Sequence, residues 1–362
     1  MRILILTTVM APYRVNLFNE LGKLCDLTVC FEQQTDSTRN STWYEKNTKS
    51  FNAVFLKKWD RPIRKIKFDI LNYINKDIDI AIAFEYSTTT AFLFMLACKL
   101  KKIPYCINCD GAFISHHIIK NFVKKFFITG ATACLANGEY AKKYFINYGA
   151  HENKIFSHHF TGLYKHEYHY PQSRSIKSNI KQELGLPNIP VVLSVGQFTH
   201  RKGLDLLLNA WKTLDSKYHL VIIGDGECLQ EYKEIIQHLS LKNISIKPFL
   251  CANDLNKYYN CSDLFVLPTR EDIWGLVINE ALSKGLPVIT TNKCIAGLEL
   301  IVDGQNGFII PSEDINTLSE RIEYSLSNLD TFNIDIDKLT IYSIENLTQE
   351  LYTTFTHVID IK

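Results

Sequence analysis

The sequence has no apolar run long enough to cross a bilayer. Its longest one, Ala91 to Cys98, stops at Lys99, far short of the ~18 to 20 residues a spanning helix needs. No small-residue cleavage site follows the short apolar run of MRILILTTVMAPYR, so the amino terminus reads as a first strand and not as a secretory leader. The chain has one CxxC, Cys106-Ile107-Asn108-Cys109, with no second pair at zinc-finger spacing. Its ten cysteines are scattered through apolar runs, where a free thiol behaves as a small hydrophobe, and a reducing, cytoplasmic compartment is expected. No GxGxxG follows the first strand or any later one, which disfavours a nicotinamide dehydrogenase. No repeat, low-complexity tract or nucleic-acid recognition module is present, and no nucleic-acid partner is expected. The Asp-x-Asp stretches KDIDI (76–80) and NIDIDK (333–338) have no further ligands around them, so neither is read as a metal site.

What is present fits a folded two-domain protein. With 362 residues, 46% apolar and 22% charged, the chain exceeds what one core organises. Residues 1–170 hold 23 Lys and Arg against 14 Asp and Glu, a balance of +9, whereas 171–362 hold 17 against 24, a balance of −7. This asymmetry suggests that the first half meets an anionic surface or substrate. Short β-branched runs at 2–8, 26–31, 78–84, 104–109 and 133–136 alternate with helical patterns at 16–24, 90–101, 118–128 and 139–148. Strand and helix alternation predicts a parallel α/β sheet. After a polar stretch at 168–188 a second such unit follows, with strands at 191–195, 219–223, 244–248, 264–267 and 287–290. The predicted domains are therefore 1–170 and 171–342. Apolar residues at Ile344, Leu347, Leu351, Phe355 and Val358 predict a packed helix over 343–362.

Three constellations carry candidate chemistry. In SVGQFTHRKGLDLLLNAW (194–211) a strand ends at Gly196, and a loop with Arg201 and Lys202 opens a helix. Cations at a strand's carboxyl end are the usual partners of phosphate in open α/β sheets, although a basic loop is more often only solvated. The second, VIIGDGECLQEY (221–232), is a strand running into a Gly-Asp-Gly turn, a weak signal by itself. The third, TREDIWGLVINEALSKGLPVI (269–289), places Glu271, Asp272 and Glu280 around Gly275 at the start of a helix. One reading is an exposed i,i+4 ion pair of Glu280 with Lys284. The other is that free amides at Gly275 and Leu276, at the positive end of the helix dipole, hold a phosphate while Glu280 accepts bonds from sugar hydroxyls.

Taken in order and followed by IAGLELIVDGQNGFIIPSEDINTLSERI (295–322), these stretches resemble the retaining glycosyltransferases of family 4, and within it bacterial enzymes that assemble surface polysaccharides such as O-antigen or capsule. The resemblance is close over about 190–325 and looser over 1–170, through MRILILTTVMAPYRVNLFNEL and DGAFISHH. It implies the GT-B fold: two Rossmann-like domains facing a cleft, with the C-terminal helix returning to the N-terminal domain. It implies that a nucleotide diphosphate sugar binds the second domain and a glycan acceptor, lipid-linked in many such systems, the first. In the family's Glu-x7-Glu motif the second Glu, here Glu280, binds the donor ribose, and the first, here Asp272, lies against the donor sugar. Lys202 matches the family's lysine before glycine. The family's Arg position is Gln197 here, and Arg201 is the expected substitute. Gly196, Gly275 and Leu276 complete the expected donor site. Asp110 stands where many members place a His against the donor sugar, and Tyr13, Arg14 and His116 are candidates on the acceptor side. No cofactor and no metal are expected, since the cations and helix amides can neutralise the leaving diphosphate. Lysines among phenylalanines in IIKNFVKKFFI (118–128), and the basic, aromatic run at 56–71, fit peripheral attachment to an anionic membrane face. Two other readings stay open: a sugar-nucleotide epimerase of the same fold, and a non-catalytic protein that binds nucleotide or glycan.

Overall fold

The computed structural model describes residues 1–35, 44, 47–57, 66–114, 118–214 and 216–360, with side chains not described at 118–120. The chain divides into two units, one reaching to Tyr164 and including the segment from Tyr342, the other running Lys165–Ile341. Among the described residues the first unit has seven strands, β1 (Arg2–Thr7), β2 (Asp26–Phe31), β3 (Asn52–Phe55), β4 (Ile80–Ala83), β5 (Tyr105–Cys109), β6 (Ala133–Asn137) and β7 (Ile155–His158). They pair in the order β3-β2-β1-β4-β5-β6-β7, all parallel. The second unit has β8 (Val191–Val195), β9 (His219–Ile223), β10 (Ile244–Lys247), β11 (Leu264–Leu267), β12 (Val288–Thr291) and β13 (Gly307–Ile310), in the order β10-β9-β8-β11-β12-β13, again all parallel. The central strands are apolar on both faces because helices cover both, and β4, β5, β8, β9 and β11 are buried throughout.

In each sheet the winding reverses once, between β1 and β4 in the first and between β8 and β11 in the second. At such a switch point the loops leaving the carboxyl ends of two neighbouring strands diverge and leave a crevice. At the opposite edge of the second sheet, Asp263, just before β11, accepts from Lys177 and Lys181 at 2.9 Å each and from the Val191 amide at 2.9 Å. This ties the helix Arg174–Glu183 to the start of β8. Burial alone would raise the Asp263 carboxyl, but the two lysines outweigh it and hold it below its ordinary value.

Several elements differ from the sequence reading. Strands β3, β7 and β13 were not predicted: each is four residues long and lies at a sheet edge, β3 has only half-buried and exposed positions, and β7 has a single buried one. The first helix is Pro12–Leu21, not 16–24, because Pro12 supplies a preset φ at the first helical position. Thus Pro12, Tyr13 and Arg14 lie in its first turn and not in a loop. The polar stretch 168–188 is not a bare linker, since Ser173 caps a helix within it, and the division between units falls upstream of it.

The helix Ile344–Asp360 lies in the first unit and buries Ile344, Leu347, Leu351, Phe355 and Val358. It packs on the helix Pro12–Leu21 and on β7. Glu350 accepts from the backbone amide of His159 at 2.9 Å and pairs with its ring Nδ1. His158 is buried with Nε2 3.2 Å from the Thr354 hydroxyl, and burial pushes its pKa down to about 4.

That burial predicts an acid-sensitive seat for the helix. An unfolded His titrates near ~6.5, so between there and pH 4 the unfolded chain binds the extra proton, and stability falls as pH drops. For His158 the loss by pH 5 is about 2 kcal/mol. His159, raised by its bond to Glu350, acts in the opposite sense and is half exposed, so its effect is smaller. Urea unfolding at pH 7.5 and pH 5 should show a smaller acid loss in His158→Gln than in the parent; an equal loss would refute the assignment.

Candidate active site

The second unit's switch point is built from the segments after β8 and β11. Lys202 ends a short turn, His200–Lys202, and its stem lies across Gly196, where an added Cβ would stand 3.7 Å from the lysine Cδ and Cε. Gly203 follows with φ +66°, and a Cβ there would come within 2.1 Å of the Pro268 carbonyl oxygen. Only glycine lets the two segments approach this closely. Once together they are pinned by polar bonds. The Arg201 carbonyl accepts from the Thr269 hydroxyl at 2.9 Å and the Arg270 amide at 2.8 Å. The Arg270 guanidinium forks onto Asp205 at 2.8 and 2.7 Å.

This frame brings Lys202 against Asp272 in a buried ion pair. Arg201 lies on the same carboxylate at 3.4 Å and donates to the Glu271 carbonyl at 2.6 Å. Asp272 is fixed from its other side, its amide donating to the Lys293 carbonyl at 2.8 Å. Glu271 itself is exposed. Gly275 then turns the chain with φ +97°, and a Cβ there would meet the Cys294 sulfur at 2.9 Å and Asp272 Oδ2 at 3.4 Å. The helix Leu276–Ser283 starts directly afterwards with no capping side chain. Its first-turn amides, including that of Leu276, therefore have the positive end of the helix dipole to themselves.

Glu280 stands one turn further along the same helix, where the Tyr259 hydroxyl donates to its Oε2 at 2.7 Å. Burial raises the Glu280 carboxyl above its ordinary value, while the Tyr259 bond pulls the other way. The surface pair of Glu280 with Lys284, one of the two readings of this stretch, does not form. Lys284 is buried and donates to the Glu167 main-chain carbonyl, so burial, not ion pairing, governs its environment. The Gly-Asp-Gly turn packs by backbone on the same region, the Phe198 amide donating to the Asp225 carbonyl at 2.8 Å.

The first unit carries its own polar cluster at its switch point. Arg14, just beyond β1 and only 3% exposed, donates from Nη2 to Glu85 at 2.8 Å and to Asp110 at 2.6 Å. Its Nε donates to the Tyr13 hydroxyl at 3.2 Å. The second oxygen of Asp110 accepts from Asn108 at 2.7 Å and Asn137 at 3.1 Å. These groups come from the carboxyl ends of β1, β4, β5 and β6. Burial pushes the Glu85 carboxyl up, against the pull of Arg14.

The structure thus groups Gly196, Arg201, Lys202, Asp272, Gly275, Leu276 and Glu280 in one unit and Tyr13, Arg14 and Asp110 in the other. His116 lies outside the described residues, as does the 58–65 part of the basic run at 56–71. The sequence reading passed over Tyr259, Glu85, Asn108 and Asn137. Three of these were open to a simple signal: Glu85, Asn108 and Asn137 are polar residues at or just past the carboxyl end of an apolar strand. Tyr259 gave none, since a buried tyrosine on a helix looks like core. Among the described residues no group of three or more His, Cys, Asp and Glu side chains could hold a metal ion.

Residues 176–333, which include Gly196, Arg201, Lys202, Asp272, Gly275, Leu276 and Glu280, match the family Glycosyl transferases group 1. Over that span the second unit is similar to group 1 glycosyltransferases. Relatives extend the likeness. An uncharacterized 41.2 kDa protein in the cps region of Klebsiella pneumoniae is 27% identical over 325 residues, 85% of each chain. An uncharacterized glycosyltransferase of Haemophilus influenzae is 29% identical over 178 residues, so that the chain spans about half the length of that relative, 50%, using 47% of its own. The capsular polysaccharide biosynthesis glycosyltransferase CapM of Staphylococcus aureus is 31% identical over 136 residues, 37% of this chain and 36% of CapM. The crystal structure of Anabaena HepE in complex with UDP and glucose superposes with a TM-score of 0.77 over 98% of this chain and 99% of HepE at 17% identity. Both units of the chain therefore have the fold of GT-B glycosyltransferases, and its sequence relatives include a capsule biosynthesis enzyme.

The buried pair of the second unit should be visible in its stability. Lys202→Met strands the Asp272 carboxylate beside only the half-exposed Arg201 and should cost about 3 kcal/mol. Lys202→Met with Asp272→Asn removes both charges and should recover much of that loss. Urea unfolding of the three proteins measures the coupling, and purely additive effects would show that the pair contributes nothing.

Proposed function

We propose that the protein is a retaining glycosyltransferase of family 4 that moves a sugar from a nucleoside diphosphate sugar to a glycan acceptor in surface polysaccharide assembly. The observation that carries this reading is the meeting of Lys202, Arg201, Asp272 and the uncapped helix at Gly275 on the switch point of the second unit. The UDP held by HepE and the capsule assignment of CapM support the choice of donor class and pathway.

In this reading the diphosphate lies against Lys202, Arg201 and the first-turn amides beginning at Leu276, and the ribose hydroxyls donate to Glu280. Asp272 faces the donor sugar, and Gly196 keeps the floor beneath Lys202 open. As the bond from the anomeric carbon to the phosphate oxygen breaks, negative charge grows on the diphosphate. Cations and amides already fixed in place stabilise that charge more than the ground state. The acceptor hydroxyl attacks the anomeric carbon from the face the phosphate leaves, and its proton passes to the departing phosphate oxygen. The products are the glycoside and the nucleoside diphosphate. No carboxylate pair is used as acid and base. Neither metal nor cofactor takes part, because the charge that a divalent ion would supply comes from Lys202 and Arg201.

The acceptor is assigned to the first unit, at Arg14, Tyr13 and Asp110. One guanidinium is set there against two carboxylates, an arrangement that accepts hydrogen bonds from neutral hydroxyls and repels an anion. A peripheral membrane contact is assigned to the helices Thr89–Lys101 and Ile118–Gly130. Leu100 and Phe122 are 76% and 74% exposed there, and Lys99 sits 4.1 Å over the Phe126 ring. Exposed rings among lysines suit an anionic lipid face from which a lipid-linked glycan could be presented.

A thermal-shift panel of UDP-, GDP- and ADP-sugars should raise the melting temperature for one base, since a native-state ligand stabilises by mass action. With that donor, Glu280→Ala and Lys202→Ala should each lower transfer at least about tenfold, about 1.4 kcal/mol, while EDTA changes nothing. Unchanged rates in both variants would sink the assignment, and product formed from donor without acceptor would indicate epimerisation. Replacing Phe122 and Phe126 with Ser should weaken sedimentation with vesicles of anionic phospholipid; binding equal to the parent's would remove the membrane contact.

A further inference from the structure

The donor-side carboxylate is not free to turn, and the group that holds it has no other evident task. Tyr259 lies on the helix Ala252–Cys261 with its ring 1% exposed and tilted against Phe265 at 5.8 Å. Its hydroxyl, in a setting where a phenol must find a partner, donates at 2.7 Å to Glu280 Oε2. Lys284, the natural ion partner one turn along, is drawn away to the Glu167 main-chain carbonyl. Glu167 carries a like charge in the same surroundings, so Tyr259 is the only described group that hydrogen-bonds the Glu280 carboxylate. The terminal torsion of a glutamate is broad and has little preference of its own. A bond to one oxygen therefore decides where the other oxygen and its lone pairs point.

We propose that Tyr259 is a positioning residue that locks Glu280 to receive the paired ribose hydroxyls of the nucleotide, and that this lock makes the site select ribonucleotides over 2′-deoxyribonucleotides. The inference rests on the reading of Glu280 as the ribose ligand. It extends that reading to a residue on a different helix and to a substrate class. Selection follows because a carboxylate fixed to accept from a hydroxyl is left buried and unpaired when that hydroxyl is missing. A carboxylate able to rotate finds other partners and discriminates less. Tyr259 also stabilises the charged form of Glu280 against its burial, so loss of the phenol should move the acid limb of nucleotide binding to higher pH.

The test is calorimetric binding of UDP, GDP and ADP and of their 2′-deoxy counterparts to the full chain. The parent should prefer one ribonucleotide over its deoxy form by at least about tenfold. Tyr259→Phe should retain binding of the deoxy form, reduce that preference several-fold and shift the acid limb upward. In turnover it should raise KM for the donor with kcat little changed. Glu280→Asp, which draws the carboxylate back from the phenol, should lose the preference in the same way and serves if Tyr259→Phe does not fold. A Tyr259→Phe protein with an undiminished preference and an unmoved acid limb overturns the inference and leaves the site intact. Failure of the parent to bind any of the three diphosphates, or a Glu280→Ala protein that binds them unchanged, would instead overturn the reading of the site.

Discussion

The ion pair between Lys202 and Asp272 is the interaction on which the rest of the second unit's switch point depends. Two charges taken out of water lose several kcal/mol of hydration each, and they hold together only where geometry and further bonds compensate. Here the compensation is spread over both segments. Gly203 allows contact with Pro268, the Arg201 carbonyl takes two donors from 269–270, and the Asp272 backbone is hydrogen-bonded to Lys293. Because the carboxylate is fixed in this way, Gly275 can turn directly beneath it and open the helix whose first amides face the same place. Cations, carboxylate and helix terminus are thus parts of one arrangement, and altering any of them disturbs the position of the others.

The same chemistry appears at the other edge of the same sheet with a different meaning. Asp263 binds Lys177 and Lys181 at 2.9 Å each, yet it sits where β8 and β11 begin. There the strands enter the sheet side by side and leave no crevice, so the triad fastens a helix. Charge and burial alone do not distinguish the two clusters; the winding of the sheet does. The same holds in the first unit, where Arg14 and Glu85 follow β1 and β4, the pair flanking the reversal.

Much of this was legible in the sequence because long central strands are apolar on both faces and end abruptly in glycine, charge or proline. The residues gathered at the second unit's switch point lie within two continuous stretches, 194–211 and 269–289, and their order together with the resemblance to family 4 grouped them. Of the edge strands β10 was legible but β3, β7 and β13 were not, since four residues carry too little periodicity to separate from loop. Nor was Tyr259: its role depends on a contact between two helices separated by β11, and nothing local to it differs from an ordinary core tyrosine. The surface pair of Glu280 and Lys284, which the i,i+4 spacing also allowed, illustrates the limit of spacing arguments. The i,i+4 relation put the two residues on one helical face, but it did not show that the face is covered, and burial sent Lys284 to a main-chain carbonyl instead.

The charge asymmetry of the chain also takes on a more specific form. An excess of nine positive charges over residues 1–170 would suggest an anion at the heart of the first unit. At its switch point, however, one guanidinium faces two carboxylates, with amides from Asn108 and Asn137 turned onto Asp110. That centre is net negative, and an anionic group placed there would meet repulsion at short range. Lys99, Lys101, Lys102 and Lys125 are instead exposed on the outer helices and their ends, beside Leu100, Phe122 and Phe126. The exposed positive charge and the net negative switch point therefore belong to different parts of one domain. A single net charge for that domain averages over both and describes neither.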